Sequence, residues 1–595
     1  MNVTISALKA QYQAGTFTPW QFIFDLRDSA LAGDDNAWIT LLTKEQLDVY
    51  ISALEQNEAA DQLPLYGIPF AIKDNIDLAG VPTTAGCAEF SYTPTQNAFV
   101  VERLIAAGAI PLGKTNMDQF ATGLVGTRSP YGEGKNVFNS DYISGGSSSG
   151  SAIATARGLV SFALGTDTAG SGRVPAALNN LIGHKPTKGL LSCQGVVPAC
   201  KTLDCVSIFA LTAEDAATVM SVAAEFDEAD FLSRKNTIEN KLRYFSGAAP
   251  SSFTFGVPDQ LEFFGNAECE ALFGKAVDAL KALGGIPKKI EIAPFLDAAK
   301  LLYEGPWVAE RWLATQGVDQ KAMLPVIQSI IGNGNKASAA DLFSAQYKLA
   351  TLKMQCDAIV GSVDVMLAPT MPTVFTRAQI AEEPIKNNSI LGTYTNFMNL
   401  LDYAATAVPV GALDCGVHWG VTLFTKPFGD VQLLNMSQAL QREFKLPLGA
   451  LNIVSDLETR AAQLPTGDMM DILVCGAHLN GQPLNWQLTE RGAKLKSACT
   501  TSDQYRLFAL TDGKRPALVR DSTNGRKIDV EVWQVPAATV GSFLNGIAAP
   551  LGLGKVELAS GEWVTAFICD GYGLEGAKDI TEYGSWREWL CSANR

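Results

Sequence analysis

Residues 165–173 read GTDTAGSGR, and a second glycine-rich turn, GGSSSGS, occupies residues 145–151. The two turns place Ser147 and Ser171 24 residues apart (171 − 147). Further upstream, the apolar segment GIPFAIKDN at 67–75 contains Lys73. A serine hydroxyl attacks a carbonyl only if a nearby group takes its proton, and the chain has just three histidines for a histidine-based triad. The pattern therefore favours lysine as the base.

A lysine acts as a base near neutral pH only if its ammonium form is disfavoured. Burial among apolar neighbours such as Ile68 and Phe70 withdraws solvation and has this effect on Lys73. Ser147 can then carry a proton between Lys73 and Ser171. Acyl transfer also needs donors for the developing oxyanion, and a tight turn can present successive backbone amides. The expected donors are the amides of Thr168, Ala169, Gly170 and Ser171.

The composition is that of a large globular chain. With 595 residues, 47% hydrophobic and 18% charged, the sequence has enough material for two or three domains. A formal net charge of −15 argues against a nucleic-acid-binding surface, because phosphate binding requires concentrated Lys and Arg. An anionic substrate therefore needs a local positive group.

Cysteine spacing and hydropathy argue against a metal site and against a membrane-spanning segment. The eleven cysteines contain no C-x-x-C pair, so no metal site is expected and the thiols are interpreted as reduced. The first residues lack a basic region followed by an apolar stretch, and no apolar run reaches the roughly 18 residues of a membrane span. The expectation is a cytoplasmic location without membrane contact.

Hydrophobic periodicity divides the chain into two domains. Residues 1–450 alternate helical segments such as 100–107 with strand-like runs at 109–112 and 159–164, which predicts an α/β sandwich with a mixed central sheet. Residues 451–468 are interpreted as a linker. In 469–595, short β segments separated by hairpin turns predict a small α+β, β-barrel-like domain. The predicted β segments are 472–475, 505–510, 517–520, 528–535, 555–558 and 563–569.

Two short motifs suggest other chemistry. Residues 108–115, GAIPLGKT, match a phosphate-binding loop, but Pro111 removes a backbone donor and its neighbours resemble strand core. Residues 146–150, GSSSG, match the nucleophile elbow of α/β-hydrolases with Ser148 as nucleophile. That alternative leaves Lys73 without a role. His184 and Arg173 are interpreted as structural residues.

The glycine-serine turn, the GTDTAGSGRVPAA segment at 165–177 and the upstream lysine resemble the amidase signature family of Ser-cisSer-Lys amide hydrolases. The resemblance implies Lys73 as base, Ser147 as the bridging serine after a cis peptide bond, and Ser171 as nucleophile. It also implies an oxyanion hole formed by the amides of 168–171. One departure is Ser149-Gly150, where the family usually has two glycines.

A second segment resembles one subgroup of that family, the allophanate hydrolases. It is LLYEGPWVAER at 301–311, and the resemblance implies that Tyr303 and Arg311 bind substrate and that backbone near Gly123 contacts its amide end. Allophanate is a small anionic ureide, and a guanidinium matches a carboxylate at two points. The alternative is that Arg311 merely pairs with Glu310 or another acid.

The C-terminal segments VCGAHLNG at 474–481 and YGSWR at 583–587 look like the second domain of full-length allophanate hydrolases, which is similar to γ-glutamyl-cyclotransferase-like barrels. In that domain, the resemblance implies that His478 assists decarboxylation of the first product, N-carboxycarbamate. The alternative role of His478 is packing.

The resemblance implies hydrolysis of allophanate (urea-1-carboxylate) to ammonia and carbon dioxide in urea degradation, without a cofactor or metal. It further implies a homodimer that is functionally coupled to a biotin-dependent urea carboxylase. Two alternatives remain: a broader amidase for small amides, and a subunit of a transamidation assembly that handles charged transfer RNA. The acidic composition counts against the second.

Overall fold

The computed structural model describes residues 1–237, 240, 245–457, 459 and 469–593. They form two compact units, one comprising Met1–Asn236 and Gly247–Thr459 and the other Arg460–Arg595 with Thr237–Ser246. Most of the predicted linker 451–468, namely residues 458 and 460–468, lies outside the described residues. The boundaries 1–450 and 469–595 stay a prediction.

The larger unit is built on one eleven-stranded sheet of order β1-β3-β2-β4-β6-β5-β10-β11-β9-β7-β8. β2 runs parallel to β3 and β4, β7 runs parallel to β8 and β9, and the remaining pairs are antiparallel. The prediction of a mixed α/β sheet is therefore confirmed. The strands are β1 (Trp38–Leu41), β2 (Pro69–Lys73), β3 (Ile110–Thr115), β4 (Phe162–Asp167), β5 (Ile182–Lys185), β6 (Cys205–Ala210), β7 (Phe253–Pro258), β8 (Gly285–Ile290), β9 (Val365–Pro369), β10 (Ala404–Ala412) and β11 (His418–Thr425).

Helices accompany this sheet, and their ends follow local sequence signals. Helix Lys44–Glu55 begins at a capping box formed by Thr43 and Gln46. Helix Ala267–Ala282 begins at Asn266 and ends just before Gly284, whose φ of +95° suits glycine. The other helices are Ile5–Gln13, Pro19–Ala32, Phe99–Ala106, Ser149–Ala156, Val174–Leu178, Ala213–Ala223, Ala293–Glu304, Val308–Ala314, Pro325–Ile331, Ala339–Val360, Arg377–Glu382, Lys386–Leu391, Phe397–Leu400 and Asp430–Phe444.

The parallel strands β2, β3 and β4 position the candidate site. All residues of these strands are buried, as their near-continuous apolar sequences require. Because β2 and β4 are parallel neighbours, their carboxyl ends meet at the same edge of the sheet. Lys73 ends β2 and Asp167 ends β4, so the base candidate and the turn with Ser171 lie side by side. Residues 110–115 form strand β3, which excludes a phosphate-binding loop there.

The C-terminal unit is β-rich, as predicted. It contains a five-stranded sheet of order β13-β16-β12-β18-β17 and a three-stranded sheet of order β15-β14-β19. Both sheets contribute side chains to one core, for example Ile472, Leu507 and Val532. The strands are β12 (Met469–Val474), β13 (Lys494–Thr500), β14 (Tyr505–Ala509), β15 (Pro516–Arg520), β16 (Asp529–Pro536), β17 (Leu551–Glu557), β18 (Trp563–Cys569) and β19 (Lys578–Asp579), and the helices are Trp486–Thr489, Ala537–Leu544 and Trp586–Ala593.

Across the ranges of the chain that the structure describes, no helix combines the length and the apolar character that crossing a membrane requires.

Candidate active site

Lys73 lies fully buried at the end of β2. Its amine nitrogen Nζ is 2.8 Å from Oγ of Ser147 and 2.7 Å from Oγ1 of Thr166 on β4. Burial lowers the pKa of Lys73 from 10.5 to about 7, although nearby carboxylates oppose this shift. A neutral amine is thus available near neutral pH, and it contacts a serine hydroxyl.

The turn before helix Ser149–Ala156 presents Ser147. The peptide bond between Gly146 and Ser147 is cis, as the resemblance implies. The carbonyl of Ser147 accepts a hydrogen bond from the amide of Asp118 at 3.0 Å, and the side chain is fully buried. A side chain added at Gly146 would collide with Asp118 and with the amide of Gly126, which explains glycine at this position. The neighbouring hydroxyl of Ser148 donates instead to the carbonyl of Thr166, at 3.2 Å.

Ser171 lies in the turn after β4, and Asp167 holds this turn. The carboxylate of Asp167 accepts hydrogen bonds from the amides of Gly170 and Gly172, and Arg173 donates to both of its oxygens at 2.9 and 3.0 Å. Burial would raise the pKa of Asp167, but the guanidinium of Arg173 holds it below its usual value. Arg173 is therefore a structural ion-pair partner, as predicted.

The Ser171 hydroxyl donates to the carbonyl of Gly123, with Oγ 3.3 Å from the oxygen. It therefore points towards Gly123 in this structure, and its hydrogen bond is not made to Ser147. The relay inferred from the sequence requires this hydroxyl to donate to Ser147 instead.

The backbone amides of the turn 168–171 fall into two groups, those without an acceptor and one that already donates a hydrogen bond. For Thr168, Ala169 and Ser171, the part of the chain that the structure describes supplies no acceptor for the backbone N–H. Gly170 differs from the expectation for an oxyanion donor, because its amide already donates to Oδ1 of Asp167 at 2.9 Å. Three of the four expected donors are therefore unengaged, and the fourth stabilises the turn.

The loop at 118–128 contacts both Ser147 and Ser171, and the sequence analysis gave a substrate-binding role only to Gly123 in it. Asp118 shapes this loop by accepting hydrogen bonds from the amides of Val125, Gly126 and Arg128 at 3.2, 3.1 and 2.9 Å. A side chain at Gly123, whose φ is +155°, would collide with the carboxylate of Asp118. The Gly123 carbonyl thereby lies against the hydroxyl of Ser171.

Arg311 lies on helix Val308–Ala314 and contacts the same loop. Its Nη1 donates to Oγ1 of Thr122 at 2.9 Å and to the carbonyl of Ala121 at 3.3 Å. Its guanidinium carbon is 5.8 Å from the ring centre of Tyr303. The side chain is buried. Both of these hydrogen bonds use Nη1, which carries two of the five guanidinium N–H donors. Arg311 therefore contacts the two residues that precede Gly123, whose carbonyl accepts from Ser171, and the ring of Tyr303 lies beside the guanidinium.

The proposed pairing of Arg311 with its neighbour Glu310 is not present. The carboxylate of Glu310 instead accepts hydrogen bonds from the amide and hydroxyl of Thr202, at 2.8 and 2.5 Å.

Two residues that sequence reasoning missed complete the surroundings of the amine. Thr166 contacts Nζ of Lys73, and its hydroxyl also lies 3.4 Å from the side-chain amide of Asn75. Asp204 accepts hydrogen bonds from the Thr168 hydroxyl and from two backbone amides, and burial raises its pKa to about 6. A signal for Thr166 existed, because it stands in the GTDTAGSGR turn.

His184 takes no part in this site. Its Nδ1 is 2.9 Å from Oγ1 of Thr406, and its Nε2 is 3.5 Å from Oδ1 of Asp430. This is the structural, hydrogen-bonded histidine that the sequence predicted.

The C-terminal unit has a separate cavity of about 140 Å³ that His478 lines. The imidazole stacks on Phe567, with ring centres 5.5 Å apart, and contacts the edge of Phe543. Its Nε2 is 2.9 Å from Oε1 of Gln487. Burial lowers the pKa of His478, against the effect of Gln487, so the neutral imidazole is favoured. Arg515 also lines this cavity.

Among the described residues, no group of three or more His, Cys, Asp or Glu side chains is arranged to hold a metal ion.

Two family models match the chain. The sequence model of the amidase family matches residues 27–434. The chain belongs to the amidase family. A second model, the allophanate hydrolase C-terminal domain, matches residues 470–591 of this amidase. The two matches cover the two units separately.

Individual relatives of this amidase are similar along most of its length. A solved structure of the allophanate hydrolase of Kluyveromyces lactis is 40% identical, covers 99% of both chains and has a TM-score of 0.80. Urea amidolyase of Saccharomyces cerevisiae is 45% identical over 93% of this chain. A glutamyl-tRNA(Gln) amidotransferase subunit of Methanosarcina acetivorans is 31% identical over 70% of it. The chain spans about a third of the length of the urea amidolyases it matches, 31% and 32%.

Proposed function

We propose that the amine of Lys73 takes a proton from Ser147, which in turn takes the proton of Ser171 as that oxygen attacks an amide carbon. The observation that carries this proposal is the 2.8 Å contact between Nζ of Lys73 and Oγ of Ser147 at a fully buried site. The hydroxyl of Thr166 accepts one N–H of the amine, which directs its lone pair towards Ser147. Substrate binding turns Ser171 from the carbonyl of Gly123 towards Ser147.

The oxyanion of the tetrahedral intermediate is assigned to the amides of Thr168, Ala169 and Ser171. These N–H groups lack an acceptor within the residues described, so they can donate to a new charge without breaking a hydrogen bond. Gly170 supports them indirectly through its bond to Asp167. The leaving amine receives the proton that Lys73 holds, and water then releases the acyl group by the reverse proton path.

The proposed substrate is allophanate, in the context of urea degradation. Arg311 and Tyr303 supply a buried cation and an aromatic ring near the loop that contacts Ser171. A guanidinium recognises a carboxylate at two points, and allophanate carries a carboxylate two atoms from its amide carbon. The similarity to an allophanate hydrolase and to urea amidolyases supports this choice over a broader small-amide activity.

Hydrolysis of the terminal amide releases ammonia and leaves N-carboxycarbamate. We assign the next step to the cavity of the C-terminal unit, where a neutral His478 assists loss of carbon dioxide from this unstable anion. The hydrogen bond to Gln487 and the stacking on Phe567 fix the imidazole in the cavity wall. The products of the complete sequence are ammonia and carbon dioxide.

The pH dependence of the first step tests the base. Because the neutral amine is the active form and the pKa of Lys73 is lowered to about 7, kcat/KM should rise with pH and level off above that value. Below the midpoint, the increase should be about tenfold per pH unit. The measurement is initial ammonia release from pH 5.5 to 9. A profile that is flat through this range would contradict a titrating amine.

His478→Asn should separate the two steps. Ammonia release from the first hydrolysis should stay within about twofold of the wild type, whereas the rate of carbon dioxide release should fall at least about tenfold because the imidazole is lost. Both products are measured in the same reaction. Tyr572→Phe, at an exposed residue of the same unit, is the matched control. Unchanged carbon dioxide release would show that His478 is a packing residue.

Partners and location follow the same proposal. Urea amidolyases exceed this chain roughly threefold in length, which supports functional coupling to a partner that processes urea, namely a biotin-dependent urea carboxylase. We further propose a homodimer located in the cytoplasm. No cofactor enters the proposed chemistry.

A role in transamidation is the second candidate, supported by 31% identity to a glutamyl-tRNA(Gln) amidotransferase subunit. That similarity covers 70% of this chain, and residues 470–591 match a different domain family. Ammonia release by the isolated full chain, together with absence of transfer RNA binding, would reject this candidate.

A further inference from the structure

Arg128 is a buried arginine at the end of the loop 118–128, and no step of the proposed mechanism uses it. Its side chain is only 3% exposed. Nη1 donates to the carbonyl of Thr122 at 2.9 Å, and Nη2 donates to the carbonyl of Pro384 at 2.5 Å. Its Nε is buried and has no hydrogen-bond partner among the described residues. An unsatisfied buried N–H is costly unless a ligand supplies an acceptor.

The contacts of Arg128 connect it to the candidate active site. A Cβ atom added at Gly123 would lie 3.1 Å from Cδ of Arg128, so the arginine packs against the residue whose carbonyl accepts from Ser171. Arg128 also shares a partner with Arg311. Arg128 binds the carbonyl of Thr122, and Arg311 binds the hydroxyl of the same residue. Two guanidiniums therefore hold one residue of the loop, which immediately precedes Gly123.

Neither guanidinium has a charged partner. Their hydrogen bonds go to backbone carbonyls and to the Thr122 hydroxyl, and within the described ranges neither forms an ion pair. The oxygens of Asp118, the carboxylate that acts electrostatically on Arg128, accept from three backbone amides. Burial lowers the pKa of Arg128 and the charge of Arg311 lowers it as well, although Asp118 opposes both. Arginine stays charged in proteins, so two buried cations that repel each other favour a bound anion.

We propose that Arg128 is a specificity-determining residue of the substrate site, where its positive charge and its free Nε–H favour a substrate that carries a carboxylate. Arg311 binds the carboxylate at two points, as argued above, and Arg128 adds a second positive charge to the same site. A neutral group could accept a hydrogen bond from Nε, but only an anion also offsets the buried charge. This inference rests on the proposed function, because it takes allophanate as the anion.

The test compares the binding of allophanate with that of biuret, which has a neutral carboxamide in place of the carboxylate. Calorimetry is carried out on the full chain with Ser171→Ala, in which the nucleophile is absent and the ligands stay intact. Adding Arg128→Gln should raise the Kd of allophanate at least about tenfold, because a buried positive charge is lost. The Kd of biuret should change less than about threefold, since biuret carries no charge.

Two further variants complete the test in the same background. Arg377→Gln removes a positive charge that Glu133 already pairs at 3.1 Å, and it should leave both dissociation constants unchanged. Arg128→Met is a second neutral variant with a longer side chain, and it is used if Arg128→Gln does not fold. Thermal unfolding of each variant establishes that it is folded.

Equal increases in the two dissociation constants would overturn the inference, because they would show that Arg128 only supports the loop through Thr122. An unchanged Kd of allophanate would overturn it too. Both results leave the proposed function intact, because Arg311 and the catalytic residues do not depend on them. Failure of allophanate to bind the Ser171→Ala chain that retains Arg128 would instead overturn the proposed substrate, and this inference with it.

Discussion

Ser171→Ala should lower kcat/KM for ammonia release from allophanate by about 10⁴-fold or more, since the oxygen that bonds to carbon is removed. Lys73→Met should have an effect of similar size, because no other group among the described residues contacts Ser147 as a base. The buried amine is 2.8 Å from that hydroxyl, and Met preserves much of its volume. Combining both substitutions should add little to either, as expected for residues that act as one unit.

Ser148→Ala is the informative control for this pair. Its hydroxyl bonds to the backbone of Thr166, so its loss should reduce activity less than about tenfold through local packing alone. If Ser148→Ala were as damaging as Ser171→Ala, the nucleophile-elbow alternative would be supported. Circular dichroism and thermal unfolding of each variant separate lost chemistry from lost folding.

Arg311→Gln should raise KM for allophanate by about 100-fold, because a buried two-point contact with the carboxylate is lost. Its effect on an uncharged small amide should be several times smaller, since that substrate has no carboxylate to bind. The measurement is kcat and KM of the variant and the wild type for both substrates. Glu310→Gln, the adjacent residue on the same helix, is the control, because its carboxylate binds Thr202 instead of Arg311.

Equal losses on the charged and uncharged substrates would contradict the carboxylate role of Arg311. They would indicate that the guanidinium supports the loop through Thr122 and Ala121 and does nothing more. Arg311→Lys distinguishes these cases further. Lysine keeps the positive charge but loses the two-point geometry, so this variant should recover only part of the affinity for allophanate.

Much of the fold could be predicted from periodicity. The predicted strand at 563–569 coincides with β18, and the predicted strand at 109–112 lies largely within β3. Strand β13, Lys494–Thr500, was not predicted. It lies at the edge of its sheet with both lysines exposed, and a strand that is charged and half solvated carries little hydrophobic signal.

The residues of the candidate site also comprise some that the sequence predicts and some that it does not. Lys73, Ser147 and Ser171 stand in glycine-rich or apolar contexts, so the sequence marks them. Asp118 and Thr166 are common polar residues whose roles arise only when distant strands meet. Thr166 is 93 residues from the lysine it contacts. The orientation of the Ser171 hydroxyl and the engagement of the Gly170 amide depend on side-chain geometry, which residue spacing does not encode.

Three carboxylates and one guanidinium act electrostatically on the protonation of the Lys73 amine. Asp118, Asp204 and Asp167 favour its protonated form, while Arg311 favours the neutral one. In the proposed complex, an incoming carboxylate adds a further negative charge, which by itself would drive the amine towards ammonium and silence the base. Arg311 already favours the neutral amine in the free protein, and with the carboxylate it forms a pair of about zero net charge, so the amine meets less negative field than the same anion would produce without the guanidinium. The guanidinium thus acts as an electrostatic shield, allowing a general base to work beside an anionic reactant.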